Sequence, residues 1–175
     1  KNLKALINYD TEKGEVIFVK VGLSAVSIEN ALRNLDTEIP GWDFDGVHKR
    51  ACDSWEKELS KIAVKADRAE MKKFYTALYH SLLAPYLFSD VNNDYWGFDK
   101  KVHKTDGSNN YTVMSLWDTF RSANPLFTLI APNTVNDIIN SMLRQYDEYG
   151  LLPVWPLWAS ETNCMIGYHA IPVIV

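Results

Sequence analysis

The chain opens with two apolar-rich runs, residues 3–9 and 15–23, that predict β-strands. Asp10-Thr11-Glu12-Lys13-Gly14 joins them as a turn, with glycine where positive φ is needed. In the second run Ile17, Val19, Val21 and Leu23 share one face, opposite Val16, Phe18 and Lys20. Two strands are marginal in water, so they should extend a sheet whose other strands lie elsewhere. The spacing then changes from two to between three and four. Ser27 opens a helix carrying Ile28, Ala31, Leu32 and Leu35 at helical spacing, and Ile39-Pro40-Gly41 stops it. A second helix sets Val47, Ala51, Trp55, Leu59 and Ile62 along one stripe, as an amphipathic connector would.

Asp67-x-x-Glu70 resembles a capping box, and Met71, Phe74, Leu78 and Leu82 continue it as a helix that Pro85 should end. Residues 89–110 are rich in Asp, Asn and Gly and show no period, which predicts a long loop. Helices are predicted around Val113 to Arg121, from about Thr134 to Tyr149, and from near Ser160. Gly150 fits a left-handed cap after the middle one. The fold expected is therefore mainly α with an N-terminal β portion: strands first, then helices only. The starting strand pattern and the apolar, uncapped Ile171-Pro172-Val173-Ile174-Val175 both suggest that more protein adjoins this segment.

Composition narrows the function classes. A net charge of -4 argues against a nucleic-acid partner, which would select a basic stripe. No apolar run is long enough for a membrane span. Lys1 to Asp10 do not form a signal peptide. Cys52 and Cys164 are expected to be free, buried thiols. The aromatic content, 13% with six Trp, suits a large core, and it also suits a cleft where rings pack on sugar faces.

Three segments carry candidate chemistry. Asn92 to Asp99 mixes amides, carboxylates and aromatics, but it lacks EF-hand spacing and reads as a structural loop rather than a metal site. In Ser115-Leu116-Trp117-Asp118-Thr119-Phe120-Arg121, helical spacing puts Asp118 and Arg121 on one side, with Trp117 and Phe120 beside them. That is a surface ion pair by default, or a place where sugar hydroxyls and ring faces are recognised together. In the third segment Pro153, Trp155, Pro156 and Trp158 lead into Glu161, placed in the first turn of the predicted helix. A capping carboxylate is the ordinary role there. An acid catalyst would need apolar walls such as Trp155 and Trp158 to oppose the helix dipole.

Gly22-Leu23-Ser24-x-Val26-Ser27-x-Glu29, Asn34-Leu35-x-x-Glu38, Ser115-Leu116-Trp117-Asp118-Thr119-x-Arg121 with Pro125-Leu126, and Trp158-x-x-Glu161-Thr162-Asn163-Cys164-Met165-Ile166-Gly167-Tyr168-His169 together resemble the glycoside hydrolase family 92 α-mannosidases. The resemblance implies the last strands of a β-sandwich over residues 1–39, a helical linker over 40–65, and the first helices of an (α/α)6 barrel over 66–175. It implies a calcium-dependent, inverting exo-α-mannosidase acting on terminal α-mannosides of glycans, of α-1,2 or related linkage. Glu161 matches the family's general acid, and Asn163 a residue associated with its calcium site. Trp117, Asp118, Arg121, Trp158 and His169 are placed near the bound sugar. Inversion needs a second carboxylate to activate water. The family's general base sits in an acidic, glycine-containing segment with no counterpart here; Asp137 and Asp147 lie in other contexts. The rest of the same polypeptide is thus an expected partner, and a periplasmic or extracellular home is implied. The rivals are another (α/α)6-barrel hydrolase, trehalase-like or glucoamylase-like, and a carbohydrate-binding module in which Glu161 merely caps a helix.

Overall fold

The computed structural model describes residues 3–175; Lys1 and Asn2, which begin the predicted β portion, lie outside the described residues. Residues 3–23 run without strand pairing, apart from a turn at Lys13-Gly14, where glycine takes a φ of +93°. Their side chains are open on both faces: Leu3, Leu6, Val16, Val19, Val21 and Leu23 are all exposed. The two predicted strands are therefore not formed, and the reason is the one their pattern contains. A strand pair with apolar faces needs a larger sheet to join, and the described residues form only separate two-stranded pairings, none of which takes it up.

Three helices follow. α1 spans Ile28–Glu38, α2 Phe44–Leu59 and α3 Arg68–Ser81. Each starts on a side-chain cap, as the sequence suggests for the first and third. Ser27 Oγ accepts from Asn30 N at 3.0 Å, and Asp67 Oδ1 accepts from Ala69 N and Glu70 N at 2.9 and 3.0 Å. The box at α3 is half-made, because Glu70 turns outward to Lys73 instead. Trp55 on α2 meets Tyr79 on α3 edge-on, with centroids 4.5 Å apart.

α1 docks through its polar side, against expectation. Ile28 and Leu32 are exposed, whereas Asn30 is buried. Asn30 and Asn34 donate to Asp90 at 2.8 and 2.7 Å, and Ser24 Oγ donates to it at 2.7 Å. The carboxylate of Asp90 is thereby filled by three neutral donors, which offsets the cost of burying its charge.

The predicted long loop is structured. β1 (Tyr86–Leu87) pairs antiparallel with β4 (Tyr111–Thr112). Between them β2 (Asp94–Trp96) pairs with β3 (Val102–Lys104), in the register Tyr95↔His103. After β4 come α4 (Leu116–Thr119), α5 (Ala123–Ile130) and α6 (Pro132–Tyr149). α4 is a single turn, shorter than the helix predicted there, and α5 was not foreseen. Gly150 closes α6 with φ +84°, as its position after the periodic run predicts. The core lies where these helices meet: Met114, Leu116, Phe127, Ile138, Met142 and Ala170 form one buried cluster. No described helix is long and apolar enough to cross a membrane.

The last segment departs most from expectation. No helix starts near Ser160; β5 (Pro156–Leu157) and β6 (Ser160–Glu161) make a hairpin, and α7 begins only at Ala170. Both cysteines are free as expected but exposed, not buried.

Candidate active site

Glu161 lies on β6, so no helix dipole acts on it. Its carboxylate faces back into the loop that precedes the hairpin. Val154 N donates to Oε2 at 2.8 Å, Trp155 N donates to both oxygens at 3.1 and 3.2 Å, and Asn163 N donates to Oε1 at 3.1 Å. Trp155, expected as an apolar wall, instead offers Glu161 its backbone N–H and turns its indole N–H to Ser115. Two non-glycine residues beside the acid take left-handed backbone angles, Trp158 at φ 54° and Asn163 at φ 53°. Such conformations cost energy and persist where surrounding contacts enforce them.

Two bonds clamp the hairpin to the segment bearing Asp118. Thr112 Oγ1, on fully buried Thr112, donates to Trp158 O at 2.9 Å. Trp155 Nε1 donates to Ser115 Oγ at 2.7 Å. Ser115 Oγ in turn donates to Asp118 Oδ2 at 2.5 Å. Val113, a β-branched residue with φ 63°, makes the bend between Thr112 and Ser115. From the far side, Lys100 Nζ donates to Ser160 Oγ at 2.6 Å and also to Ala159 O.

The structure therefore brings Asp118, Glu161 and Asn163 into one hydrogen-bonded assembly. Asp118 and Arg121 make no ion pair: Asp118 is held by Ser115, and the guanidinium of Arg121 lies over the Phe120 ring at 5.4 Å. His169 packs on the same ring, with centroids 4.4 Å apart, and its buried Nδ1 has no hydrogen-bond partner. Phe120 thus gathers Arg121 and His169 into a second cluster. Trp117 and Trp158 are partly exposed, at 37% and 55%, which leaves ring surface open for a ligand. Trp158 also lines an open groove of about 690 Å³ with Trp96, Phe88, Asn34 and Glu38. Sequence reasoning missed Ser115 and Thr112 as site-shaping residues. Their signal was faint, being a serine and a threonine beside a motif.

A calcium ion would need six to eight oxygen ligands. Asn163 is exposed and belongs to no group of converging carboxylates, so these residues do not by themselves build such a cage. The one group of close metal-binding side chains among the described residues is Asp99, His103 and Glu148. Its atoms are already engaged. His103 Nε2 bonds Asp99 Oδ1 at 2.8 Å, and Glu148 accepts from Tyr95 Oη at 2.6 Å and Phe98 N at 2.8 Å. Burial and the adjoining Glu148 push the Tyr95 phenol well above its usual range. This reads as a structural network, and its imidazole is a poor calcium ligand. Asp137 is likewise occupied, by Asn109 N and Nδ2 at 3.2 and 3.1 Å.

The chain belongs to glycosyl hydrolase family 92, whose catalytic-domain model matches residues 30–175. It is similar to a family GH92 alpha-mannosidase from Bacteroides thetaiotaomicron, with 43% identity and a TM-score of 0.83, over 86% of this chain and 20% of that one. The same enzyme in complex with mannoimidazole matches equally. A family GH92 inverting mannosidase from the same organism is 29% identical with a TM-score of 0.80, over 86% of this chain and 21% of that one. An uncharacterized secreted glycosidase from Arthroderma benhamiae is 31% identical over 81 residues, which are 43% of this chain and 10% of that protein. The chain thus spans about a fifth of the solved relatives it matches, 20% and 21% of their length.

Proposed function

We propose that this chain is part of an inverting exo-α-mannosidase that removes terminal α-linked mannose, of α-1,2 or related linkage, from glycans. The observation that carries this reading is the family match over residues 30–175, which includes Glu161 and the segment bearing Asp118. In this proposal Glu161 protonates the departing glycosidic oxygen. Both its oxygens accept backbone N–H groups in the structure, so proton delivery requires one oxygen to leave the Val154–Trp155 amides. Asp118 and Arg121 hold sugar hydroxyls, the rings of Trp117 and Trp158 pack on sugar faces, and His169 offers its unpartnered Nδ1. The water-activating carboxylate comes from elsewhere in the polypeptide. Residues 1–39 end a β-sandwich, 40–65 link it, and 66–175 begin an (α/α)6 barrel. Calcium binds in the whole enzyme with Asn163 as one ligand and the others supplied beyond this chain. The secreted relative supports a periplasmic or extracellular home for the protein.

The test is to follow the first product of α-mannobiose hydrolysis by proton NMR, using the full-length protein with and without a chelator. Release of β-mannose that stops on chelation and returns with calcium is the expected result. Release of α-mannose would reject inversion, and indifference to chelation would reject the calcium role. Calcium-independent release of glucose from an α-glucoside would favour the rival barrel hydrolases.

A further inference from the structure

We propose that Trp155 is a positioning residue that couples the acid to the sugar-holding carboxylate through Ser115. It rests on the reading of Glu161 and Asp118 given above. Trp155 has two donors, and each serves a different partner. Its backbone N–H goes to Glu161, at 3.1 and 3.2 Å from the two oxygens, and its indole N–H goes to Ser115 Oγ at 2.7 Å. A serine hydroxyl has one proton to give and two lone pairs to accept with. Having accepted from the indole, Ser115 spends its proton on Asp118 Oδ2, 2.5 Å away. The four groups form one hydrogen-bonded chain in which donation runs outward from Trp155, to Glu161 at one end and through Ser115 to Asp118 at the other.

The arrangement has a physical consequence. Asp118 is exposed, on a single helical turn, and without Arg121 as a partner it has few restraints. Glu161 sits on a two-residue strand. The amides of Val154, Trp155 and Asn163 hold the Glu161 carboxylate within its own loop, but nothing in that cage sets its distance to Asp118. The indole, half-buried between them, sets their separation, and the second clamp from Thr112 to Trp158 O stops the hairpin from sliding. Misplacing a catalytic group by even an ångström is enough to slow the chemistry on the order of a hundredfold.

The experiment compares Trp155→Phe, Ser115→Ala, Ser115→Thr and the Phe/Ala double variant in the full-length protein. Trp155→Phe deletes the indole N–H together with part of the ring, whereas Ser115→Ala removes only the acceptor and leaves the indole packing in place. The expected result is a fall in kcat on mannobiose of roughly ten- to a hundredfold for Trp155→Phe and for Ser115→Ala. The loss should be smaller on a dinitrophenyl mannoside, whose leaving group needs no proton. The double variant should be no slower than Ser115→Ala, and Ser115→Thr should restore most of the rate. Equal slowing of both substrates, or multiplicative losses in the double variant, would overturn the coupling and leave Trp155 a packing residue. If the full-length protein hydrolyses no α-mannoside, the functional reading falls separately. The bond itself is then read by fluorine NMR of fluorotryptophan-labelled protein: Ser115→Ala must shift the Trp155 resonance, and an unmoved signal rejects the inference.

Discussion

Asp94 opens β2 and Asp99 lies just past its end, and the pKa of each is held below the usual carboxylate range. For Asp94 the leading cause is the bond from Asn30, with Asn92 and Lys104 adding to it against some burial. For Asp99 it is the bond from His103, followed by Lys101. A carboxyl whose folded pKa is depressed stabilises the native state above its unfolded value of about 3.9, and that contribution disappears as pH falls through the folded pKa. Melting temperature should therefore drop between about pH 4 and the more acidic folded values. Asp99→Asn should flatten part of that drop while lowering stability at neutral pH. An acid limb unchanged in the variant would remove Asp99 from the account. Residue identity made Glu161 legible as a candidate, but not its surroundings. Two of the three amides around it, from Val154 and Trp155, belong to the loop before the hairpin and the third, from Asn163, follows it, and no sequence spacing announces that closure.

Elements with strong local signals were readable and those fixed by tertiary contact were not. Ser27 and Asp67 cap their helices, and Gly150 ends α6, because capping needs only neighbours in sequence. Asp67→Ala should cost about 1 kcal/mol of stability, measured by denaturant unfolding, and no loss would mean that the α3 cap is replaceable. By contrast, the loop of residues 89–110 holds one short strand pairing, β2 with β3, and is bracketed by another, β1 with β4; both are specified by contacts with α1 and α6, which carry no periodic trace. The polar docking of α1 was hidden for the same reason: the stripe of Ile28 and Leu32 gave a face, while Asp90, 60 residues from Asn30, decided which face is buried. Glu161 went to a hairpin rather than a helix because Trp158 takes a left-handed turn that closes β5 on β6. In the core, Met142 has no exposed surface, so Met142→Ala should destabilise by about 2–5 kcal/mol in the same assay.

The described residues carry a compact buried cluster and an open flank. Residues 3–23 present Leu3, Leu6, Ile7, Val16, Val19 and Val21 to solvent, a run of exposed apolar side chains outside any strand pairing. The isolated chain should bind a hydrophobic dye and be cut first within that segment by limited proteolysis. First cleavage inside α6 would contradict this. On the proposed inverting mechanism, catalysis likewise needs a water-activating carboxylate that comes from elsewhere in the polypeptide. The isolated 175 residues are accordingly expected to be inactive.

The most direct test of the central claim is Glu161→Gln in the full-length protein, assayed on mannobiose and on dinitrophenyl α-mannoside. If Glu161 is the acid, mannobiose hydrolysis falls by on the order of a hundredfold or more, while the dinitrophenyl substrate retains most of its rate. Equal, near-wild-type rates on both substrates would contradict the account and leave Glu161 as a carboxylate that only ties down its loop.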